Sequence, residues 1–293
     1  MGKRMTNADL MEAKRSGHKV VAVSCYDYTT ARLVAKADVD MVLVGDSAAQ
    51  ILLGFESTLP ASMDFMVMMT AAVRRGVPNV FLVADMPFLS YQTGSGDAVR
   101  NAGRFVTEAG AQMVKVEISE AYLDVVRAIS DAGMAVMAHI GIRPQAIGKL
   151  GRLRAEGTTV DMAIHLEALA GQAVEAGASA LLLEGTAAEV ASIIATRSEV
   201  PVIGCGSGPD CDGQILLAAD ILGLTETRPR FASSFANLSE TSVAAFDAYS
   251  HHVRAGTFPC TESSYHMRPG EAERLKGMLA KGTLSGPASG SRG

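Results

Sequence analysis

Seven polar side chains stand out in this sequence because each one ends or interrupts a short apolar run. They are Asp46, Ser47, Asp85, Lys115, Glu117, His139 and Glu184. The carboxylates of Asp46, Asp85 and Glu117 are hard oxygen ligands, which favour Mg²⁺ over Zn²⁺. Such an ion could hold a 2-oxo acid and stabilise the enolate that forms when a neighbouring proton leaves. If these side chains converge, the sequence predicts metal-assisted enolate chemistry.

Lys115 and Glu117 are two residues apart, so on a β-strand their side chains point to the same face. We expect that face to be the interior of the protein, with Val114 and Val116 facing the other way. The lysine could then pair with the carboxylate of the oxo acid or with its developing negative charge. Glu184 follows three leucines, and partly apolar surroundings of this kind could raise its pKa towards that of a working base.

Each of these residues alone also has a purely structural interpretation. The two aspartates could be turn or cap residues, and Lys115 and Glu117 could form a structural ion pair. His139 could be a hydrogen-bonded core histidine, and Glu184 could cap the helix that follows it. The loop GCGSG at 204–208 is only a weak phosphate-loop signal, because the lysine and Ser/Thr of a P-loop are missing. The functional interpretation therefore depends on these residues meeting in space.

Short apolar runs bounded by turn residues recur along the chain and predict eight strands. Their ranges are 19–26, 39–46, 79–86, 111–118, 134–141, 178–185, 200–207 and 214–224. Helical stretches lie between them, at 29–37, 62–75, 96–110, 120–133, 161–177 and 187–198. The alternation predicts an α/β protein of the (β/α)8 (TIM) barrel class, with a doubly wound open sheet as the alternative. No G-x-G-x-x-G follows the first strand, which disfavours a dinucleotide-binding sheet.

In a (β/α)8 barrel, the carboxyl ends of the strands share one face, and the chemistry takes place there. The second predicted strand delivers Asp46 and Ser47, the third Asp85, and the fourth Lys115 and Glu117. The fifth strand carries His139, and the sixth ends with Glu184. The predicted fold would therefore gather all seven side chains at one mouth.

Composition narrows the class of protein further. The chain has 293 residues, a net charge of −5 and 48% hydrophobic residues. The acidic balance argues against a nucleic-acid surface, and no apolar run reaches the roughly 18 residues of a membrane span. Four cysteines without CxxC spacing, and an N-terminus without an apolar signal core, indicate reduced thiols and a cytoplasmic protein.

We expect a single barrel domain over residues 1–267, followed by a tail over 268–293. The last part of the tail is rich in Gly, Ser and Pro, a composition typical of disorder. The segment EAERLKGMLAK at 271–281 could form a short helix within the tail.

Several longer stretches resemble the ketopantoate hydroxymethyltransferase (3-methyl-2-oxobutanoate hydroxymethyltransferase) family over about residues 18–267. They include YDYTTARL, VLVGDSAA, ADMPFLSYQ, EAGAQMVKVE, AHIGIRPQ and VPVIGCGSGPDCDGQILLAADILGL. The resemblance implies a (β/α)8 barrel related to phosphoenolpyruvate mutase and isocitrate lyase. It also implies transfer of a one-carbon unit from 5,10-methylenetetrahydrofolate to 3-methyl-2-oxobutanoate, giving ketopantoate for pantothenate and coenzyme A. Members use magnesium and are homo-oligomers, commonly decamers.

The same resemblance implies a role for each site residue. Asp46, Asp85 and Glu117 would surround the metal ion. The oxo acid would contact Asp46, Ser47, Asp85, Lys115 and His139. Glu184 would be the proton acceptor.

One segment departs from the family pattern. After the fifth strand the family usually has Gly-Gly-aromatic-basic-Val-Gln-Gly-basic, whereas this chain has GRLRAEGT at 151–158. A loop over a barrel mouth shapes access and closure, so the change bears on the second substrate more than on the metal. Two alternatives stay open: a folate-independent lyase or aldolase-type enzyme acting on another 2-oxo acid at the same metal site, and a non-catalytic barrel. Dependence of the reaction on folate separates the first of these from the hydroxymethyltransferase.

Overall fold

Eight parallel strands close into a barrel in the computed structural model, which describes residues 4–282. The strands are β1 Val20–Ser24, β2 Met41–Val44, β3 Phe81–Asp85, β4 Met113–Glu117, β5 Ala135–Gly141, β6 Ala180–Glu184, β7 Val202–Cys205 and β8 Gly213–Leu217. Each strand pairs with its sequence neighbours, and β1 pairs with β8. The predicted (β/α)8 barrel is confirmed, and the open-sheet alternative is excluded.

Helices occupy the six stretches between strands in which the sequence predicts them. The helices are α1 Asn7–Ser16, α2 Tyr28–Val34, α3 Ala48–Ile51, α4 Met63–Gly76, α5 Ser95–Thr107, α6 Leu123–Asp131, α7 Ile147–Leu150, α8 Val160–Glu175, α9 Ala188–Arg197, α10 Ala218–Ile221, α11 Leu238–Arg254 and α12 Glu271–Ala280. Asp27, Ser62 and Thr159 start three of them, because each side chain accepts a hydrogen bond from a backbone N–H of the first turn.

The core has two layers that follow the alternation of side chains along the strands. Val114 and Val116 of β4 belong to the outer layer, packed with residues of the helices, whereas Met113 belongs to the barrel interior. Lys115 and Glu117 are both buried and share the interior face with Met113. The predicted orientation of β4 is confirmed. Burying its two charges costs free energy, which ion pairs and hydrogen bonds with the surrounding residues must offset.

Helix α1, which the sequence analysis did not predict, lies at the amino-terminal end of the barrel. Its Leu10 is fully buried in the interior cluster, together with Val20, Met41 and Phe81, the first residues of β1, β2 and β3. Ala13 is buried in the same cluster, and the high charge of α1 hides these two apolar contacts in the sequence. Because α1 closes this end, the opposite end is the open mouth.

The eighth predicted strand, 214–224, is too long at its carboxyl end. The structure ends β8 at Leu217 and continues as α10. Apolar residues do not by themselves distinguish a buried strand from a short helix. Two adjacent alanines favour the helical turn here.

The described residues divide into two compact units, one up to Leu238 and one from Ser239. The second unit contains α12, which confirms the short helix predicted at 271–281. The predicted boundary at 267/268 stays a prediction, and the Gly-, Ser- and Pro-rich end at 283–293 lies outside the described residues. Over residues 4–282, no helix combines the length and apolar character that a bilayer span requires.

Candidate active site

A cavity of about 370 Å³ opens at the carboxyl ends of the strands. Its lining includes all seven residues singled out in the sequence, namely Asp46, Ser47, Asp85, Lys115, Glu117, His139 and Glu184. The structure thus brings together residues spread over nearly 140 positions of the chain. What each residue does there is a separate question, which the contacts below address.

Asp85 and Lys115 form a buried ion pair on one wall of the cavity. The lysine Nζ lies 2.8 Å from Asp85 Oδ1; the side chain of Asp85 is 1% exposed and that of Lys115 is 5% exposed. The other oxygen, Asp85 Oδ2, accepts a hydrogen bond of 2.9 Å from the backbone N–H of Asp46. Burial raises the pKa of Asp85, and Lys115 opposes this effect. Burial alone would lower the pKa of Lys115, but the surrounding carboxylates raise it overall and keep the ammonium charged.

Glu117 lies beside this pair and has an unsatisfied oxygen. Its Oε2 accepts a hydrogen bond of 3.0 Å from the backbone N–H of Gln145, whereas Oε1 has no hydrogen-bond partner. Burial, followed by the charges of Asp46 and Asp85, raises the pKa of Glu117 despite the neighbouring lysine. Three buried carboxylates therefore share one ammonium group, and a cation is the species that this wall lacks.

The donor set fits a hard divalent cation, since the available ligands are carboxylate oxygens. Within residues 4–282, however, no three His, Cys, Asp or Glu side chains are already arranged as a metal site. Asp85 is engaged by Lys115 and by a backbone N–H, as described above. Ligation by all three carboxylates remains a prediction from the sequence.

Gln145, which the sequence analysis did not single out, connects the acidic residues. Its Nε2 donates hydrogen bonds of 2.9 Å to Asp46 Oδ2 and to the carbonyl oxygen of Met86. Its Oε1 accepts a hydrogen bond of 2.8 Å from the Tyr91 hydroxyl, which also accepts one of 3.2 Å from the backbone N–H of Glu117. Gln145 is uncharged and lies four residues beyond the end of β5, so neither charge nor strand position indicates a role for it. The signal for it in the sequence is its place in the stretch AHIGIRPQ.

His139 stands between Lys115 and Glu184. Lys115 Nζ lies 3.3 Å from Nδ1 of the imidazole, and an ammonium group can only donate, so Nδ1 is the acceptor and Nε2 carries the proton. That Nε2 has no hydrogen-bond partner and lies 3.5 Å from Glu184 Oε2. Burial, then the charges of Lys115 and Arg143, lowers the pKa of His139 and keeps the ring neutral.

Glu184 ends β6 on the opposite wall and is 23% exposed to the cavity. Burial raises its pKa to about 7; Lys115 has a smaller lowering effect, and the charge of Asp46 a smaller raising effect. Its backbone sits against Gly141, where an added Cβ would lie 2.3 Å from the Glu184 carbonyl oxygen. Gly141 also has a φ of +91°, so glycine is required there for β5 and β6 to end side by side. The result is a carboxylate whose pKa suits proton transfer at neutral pH.

Ser47 completes the mouth next to β2. Its Oγ lies 2.8 Å from the Tyr26 hydroxyl, which fixes the direction of the serine side chain. Gly45 leaves the space for this arrangement, because a Cβ there would lie 2.9 Å from Ser47 Oγ. A second residue missed in the sequence, Asp220, also lines the cavity and accepts a hydrogen bond of 2.6 Å from Thr225.

The GCGSG loop contributes structure rather than an anion cradle. Ser207 Oγ donates to the Leu183 carbonyl oxygen at 2.8 Å and accepts from the Thr186 N–H at 3.1 Å. Cys205 lines the cavity, but burial raises the pKa of its thiol and keeps it protonated. All four cysteines have free thiols.

The divergent loop at 151–158 borders the same cavity. Glu156 anchors it to the end of β6, since its N–H donates to the Gly185 carbonyl oxygen at 2.9 Å and its carbonyl oxygen accepts from the Ala187 N–H at 3.0 Å. Leu153, which stands where the family has an aromatic residue, lines the cavity. The departure from the family pattern therefore lies at the mouth, away from the charged wall.

Comparison with known sequences places the chain among enzymes of one kind. A family model described as ketopantoate hydroxymethyltransferase matches residues 4–261. The 3-methyl-2-oxobutanoate hydroxymethyltransferase of Moorella thermoacetica is 45% identical over 263 residues, 89% of this chain and 98% of the relative. The enzyme of the same name from Koribacter versatilis is 42% identical over 277 residues, 94% of each chain.

Comparison with solved structures supports the fold. A 2,3-dimethylmalate lyase of the PEP mutase/isocitrate lyase superfamily matches with a TM-score of 0.58 and 18% identity, covering 95% of this chain and 100% of that one. A phosphonopyruvate hydrolase, solved with oxalate and Mg²⁺, also has a TM-score of 0.58, at 15% identity and 94% and 99% coverage. At these identities the likeness concerns the barrel architecture.

Proposed function

Because the chain belongs to the ketopantoate hydroxymethyltransferase family, we propose that it transfers a hydroxymethyl group from 5,10-methylenetetrahydrofolate to 3-methyl-2-oxobutanoate, giving ketopantoate for pantothenate and coenzyme A synthesis. The observation that carries the chemistry is the position of Glu184, a carboxylate with a pKa of about 7, across one cavity from a wall of buried carboxylates and a lysine. This pairing supplies a base and a binding site for an anionic oxo acid.

In this proposal, Asp46, Asp85 and Glu117 hold the magnesium ion. The unpartnered Oε1 of Glu117 and the excess of buried carboxylates over ammonium groups support the assignment. When bound, Mg²⁺ would withdraw electron density from the keto group and so acidify the C3 proton.

Lys115, Ser47 and His139 orient the oxo acid. The ammonium group of Lys115 supplies positive charge for the substrate carboxylate, held in place by Asp85. The Ser47 hydroxyl, directed by Tyr26, and the Nε2–H of His139 can each donate a hydrogen bond to a substrate oxygen. Because the imidazole is neutral, it donates this hydrogen bond without adding a charge to the site.

Glu184 removes the proton from C3. Once the proton is gone, C3 forms a carbon–carbon bond to the one-carbon unit, whose two carbon–nitrogen bonds to the folate break. Water supplies the oxygen of the hydroxymethyl group, and tetrahydrofolate leaves after its two nitrogens take up the equivalent of the C3 proton and one proton of the water. The 2-oxo acid must lie with C3 towards β6 and its oxygens towards β2–β4 for this to occur. The two walls of the cavity are arranged for that orientation.

The experiment is product detection by mass spectrometry with 3-methyl-2-oxobutanoate and a panel of other 2-oxo acids, each with and without 5,10-methylenetetrahydrofolate. We expect ketopantoate only when the folate and Mg²⁺ are both supplied. Cleavage or condensation of 2-oxo acids at equal rates without folate would replace this function by the lyase or aldolase alternative.

We also propose that the chain is a homo-oligomer, with the decamer of its family as the expected size. Helix α11 supports this, because it has no buried residue in the single chain and its Phe246 and Tyr249 are 72% and 59% exposed. Light scattering during gel filtration measures the assembly, and a monomer at micromolar concentration would contradict the proposal. A cytoplasmic location remains an expectation from the sequence.

A further inference from the structure

A second cavity, of about 290 Å³, lies beside the active-site mouth. The 151–158 loop supplies most of its lining, together with the segment that leaves β5 and the start of α8. Leu153 lines both this cavity and the catalytic one. The two cavities therefore adjoin at Leu153.

Three arginines line this second cavity: Arg143, Arg152 and Arg154. Among the residues that the structure describes, none of the three forms an ion pair with a carboxylate. Arg143 donates to the Ile118 carbonyl oxygen at 3.2 Å, and the acidic residue in the lining is Glu156. In a chain with a net charge of −5, three such guanidinium groups around one cavity form a local site for an anion.

The chemistry of the site selects carboxylates. A guanidinium group binds a carboxylate through two parallel hydrogen bonds, and several of them favour a ligand with several carboxylates. The apolar side chains of Ile142, Leu150 and Leu153 also line the cavity, so the ligand should carry apolar surface as well as charge. Folate has these properties, since its aromatic part ends in a glutamate and each additional glutamyl unit adds one carboxylate.

We propose that Arg143, Arg152 and Arg154 bind the glutamyl carboxylates of the folate co-substrate, and that the enzyme prefers folates with several glutamyl units. The inference rests on the proposed function, because it assumes that the pteridine end reaches the catalytic cavity. It assigns a role to the loop that departs from the family pattern. Arg152 stands where the family has the second of two glycines, so this chain places a guanidinium group at that position, whereas Thr158 stands at the final basic position of the family.

The test compares tetrahydrofolate carrying one glutamate with tetrahydrofolate carrying three, on the full chain in the presence of Mg²⁺ and 3-methyl-2-oxobutanoate. Calorimetry gives the Kd of each folate without turnover. We expect the triglutamate to bind about tenfold more tightly, and this advantage to fall as ionic strength rises, because exposed charges are screened.

Two variants locate the site. R152G restores the residue of the family, and R154Q removes a charge while keeping a polar side chain. Each should weaken triglutamate binding about three- to tenfold, with less effect on the monoglutamate and none on the KM for the oxo acid. K149Q is the matched control, because Lys149 is exposed on α7 next to the loop and is absent from the cavity lining. Its Kd values should equal those of the wild type.

The outcomes separate this inference from the proposed function. Equal Kd values for the two folates, or an advantage that R152G and R154Q leave intact, would overturn the arginine site even if ketopantoate is made. Preferential binding of the triglutamate that the two variants remove supports the site whatever the product assay shows. Failure of the proposed function would appear instead as an absence of folate-dependent ketopantoate.

Discussion

The two walls of the catalytic cavity differ in how firmly they hold their charged groups. On the β2–β4 wall, Asp46, Asp85, Lys115 and Glu117 are at most 5% exposed and are joined by an ion pair and by hydrogen bonds through Gln145. On the β5–β6 wall, Glu184 is 23% exposed, and its Oε2 lies 3.5 Å from the His139 Nε2, which is longer than a good hydrogen bond. The first wall is buried and held by these contacts, although Glu117 Oε1 has no hydrogen-bond partner, whereas the Glu184 carboxylate is more exposed and lies beyond hydrogen-bond distance of His139.

This difference indicates that one wall binds ligands and the other transfers a proton. A group that binds an ion or a carboxylate must be held in position before the ligand arrives, because disorder there would cost affinity. A group that accepts a proton needs a pKa near the working pH and must not be committed to a strong partner. The first wall has the properties of a binding surface, and Glu184 has those of a base.

The largest effect should come from Glu184→Gln. Removing the base should lower kcat about 10²- to 10⁴-fold, while calorimetry shows Mg²⁺ and oxo-acid binding unchanged. The free energy of unfolding should rise by about 3 kcal/mol at pH 8, because the wild-type fold raises the pKa of Glu184 from 4.5 to about 7 and so disfavours its charged form above that pH. At pH 4.5 the wild-type carboxyl is protonated in the fold, and the gain should be much smaller.

Glu189→Gln is the control for this substitution. Glu189 is exposed in the first turn of α9, five residues further along the chain. Its loss should leave kcat within about twofold, as is usual for surface changes. If the Glu184 variant keeps wild-type turnover, Glu184 is not the base, and the two walls do not have the different roles assigned to them.

The next effect concerns the fixed wall. Asp85→Asn keeps the size of the side chain but removes the negative charge that pairs with Lys115. Mg²⁺-dependent binding of the oxo acid should weaken more than about 100-fold, which exceeds the usual loss for an indirect support of a metal ligand. Calorimetry measures the binding, and circular dichroism checks that the barrel still folds.

Asp124→Asn, an exposed change on α6, is the corresponding control and should bind like the wild type. Unaltered titration of the Asp85 variant with Mg²⁺ would rule out a part for that carboxylate in the metal site.

A smaller effect should follow from Gln145→Leu. The change removes the hydrogen bonds to Asp46 and Met86 and leaves the Tyr91 hydroxyl without its amide partner. We expect a loss of about 2–4 kcal/mol in the free energy of unfolding, from buried polar groups left unpaired, and about tenfold weaker Mg²⁺ binding.

Gln172→Leu on the exposed surface of α8 provides the comparison and should change neither quantity. If the Gln145 variant binds Mg²⁺ as well as the wild type, the hydrogen-bond network does not support the metal ligands.

The smallest effect is the pH dependence of kcat/KM. Because the pKa of Glu184 is about 7, kcat/KM should rise about tenfold between pH 6 and pH 8 and level off above that. His139, Lys115 and Cys205 should not titrate in this range. Burial and neighbouring cations lower the pKa of His139, neighbouring carboxylates outweigh burial and raise the pKa of Lys115, and burial raises the pKa of Cys205. A flat profile between pH 6 and 8 would place the pKa of the base elsewhere.

The charged wall could be predicted from sequence because its signal is periodic. The two-residue spacing of Lys115 and Glu117 within an apolar strand fixed their common face, and the strand ends located Asp46, Asp85 and Glu184. Gln145 could not be found in this way, because a neutral amide outside a strand becomes informative only through its partners on other elements.

The errors in the fold prediction have similar causes. Helix α1 was missed since its two buried residues, Leu10 and Ala13, stand among charged residues and give only a weak helical periodicity. The end of β8 was misplaced because Ala218–Ile221 is as apolar as the strand before it. Tertiary contacts, rather than local pattern, decide both.

Exchange of the C3 hydrogen of 3-methyl-2-oxobutanoate in D₂O, followed by proton NMR with Mg²⁺ and without folate, tests the division of labour between the walls most directly. The wild type and Glu189→Gln should exchange this hydrogen, whereas Glu184→Gln should bind the oxo acid and leave it in place. Undiminished exchange by the Glu184 variant would contradict the account.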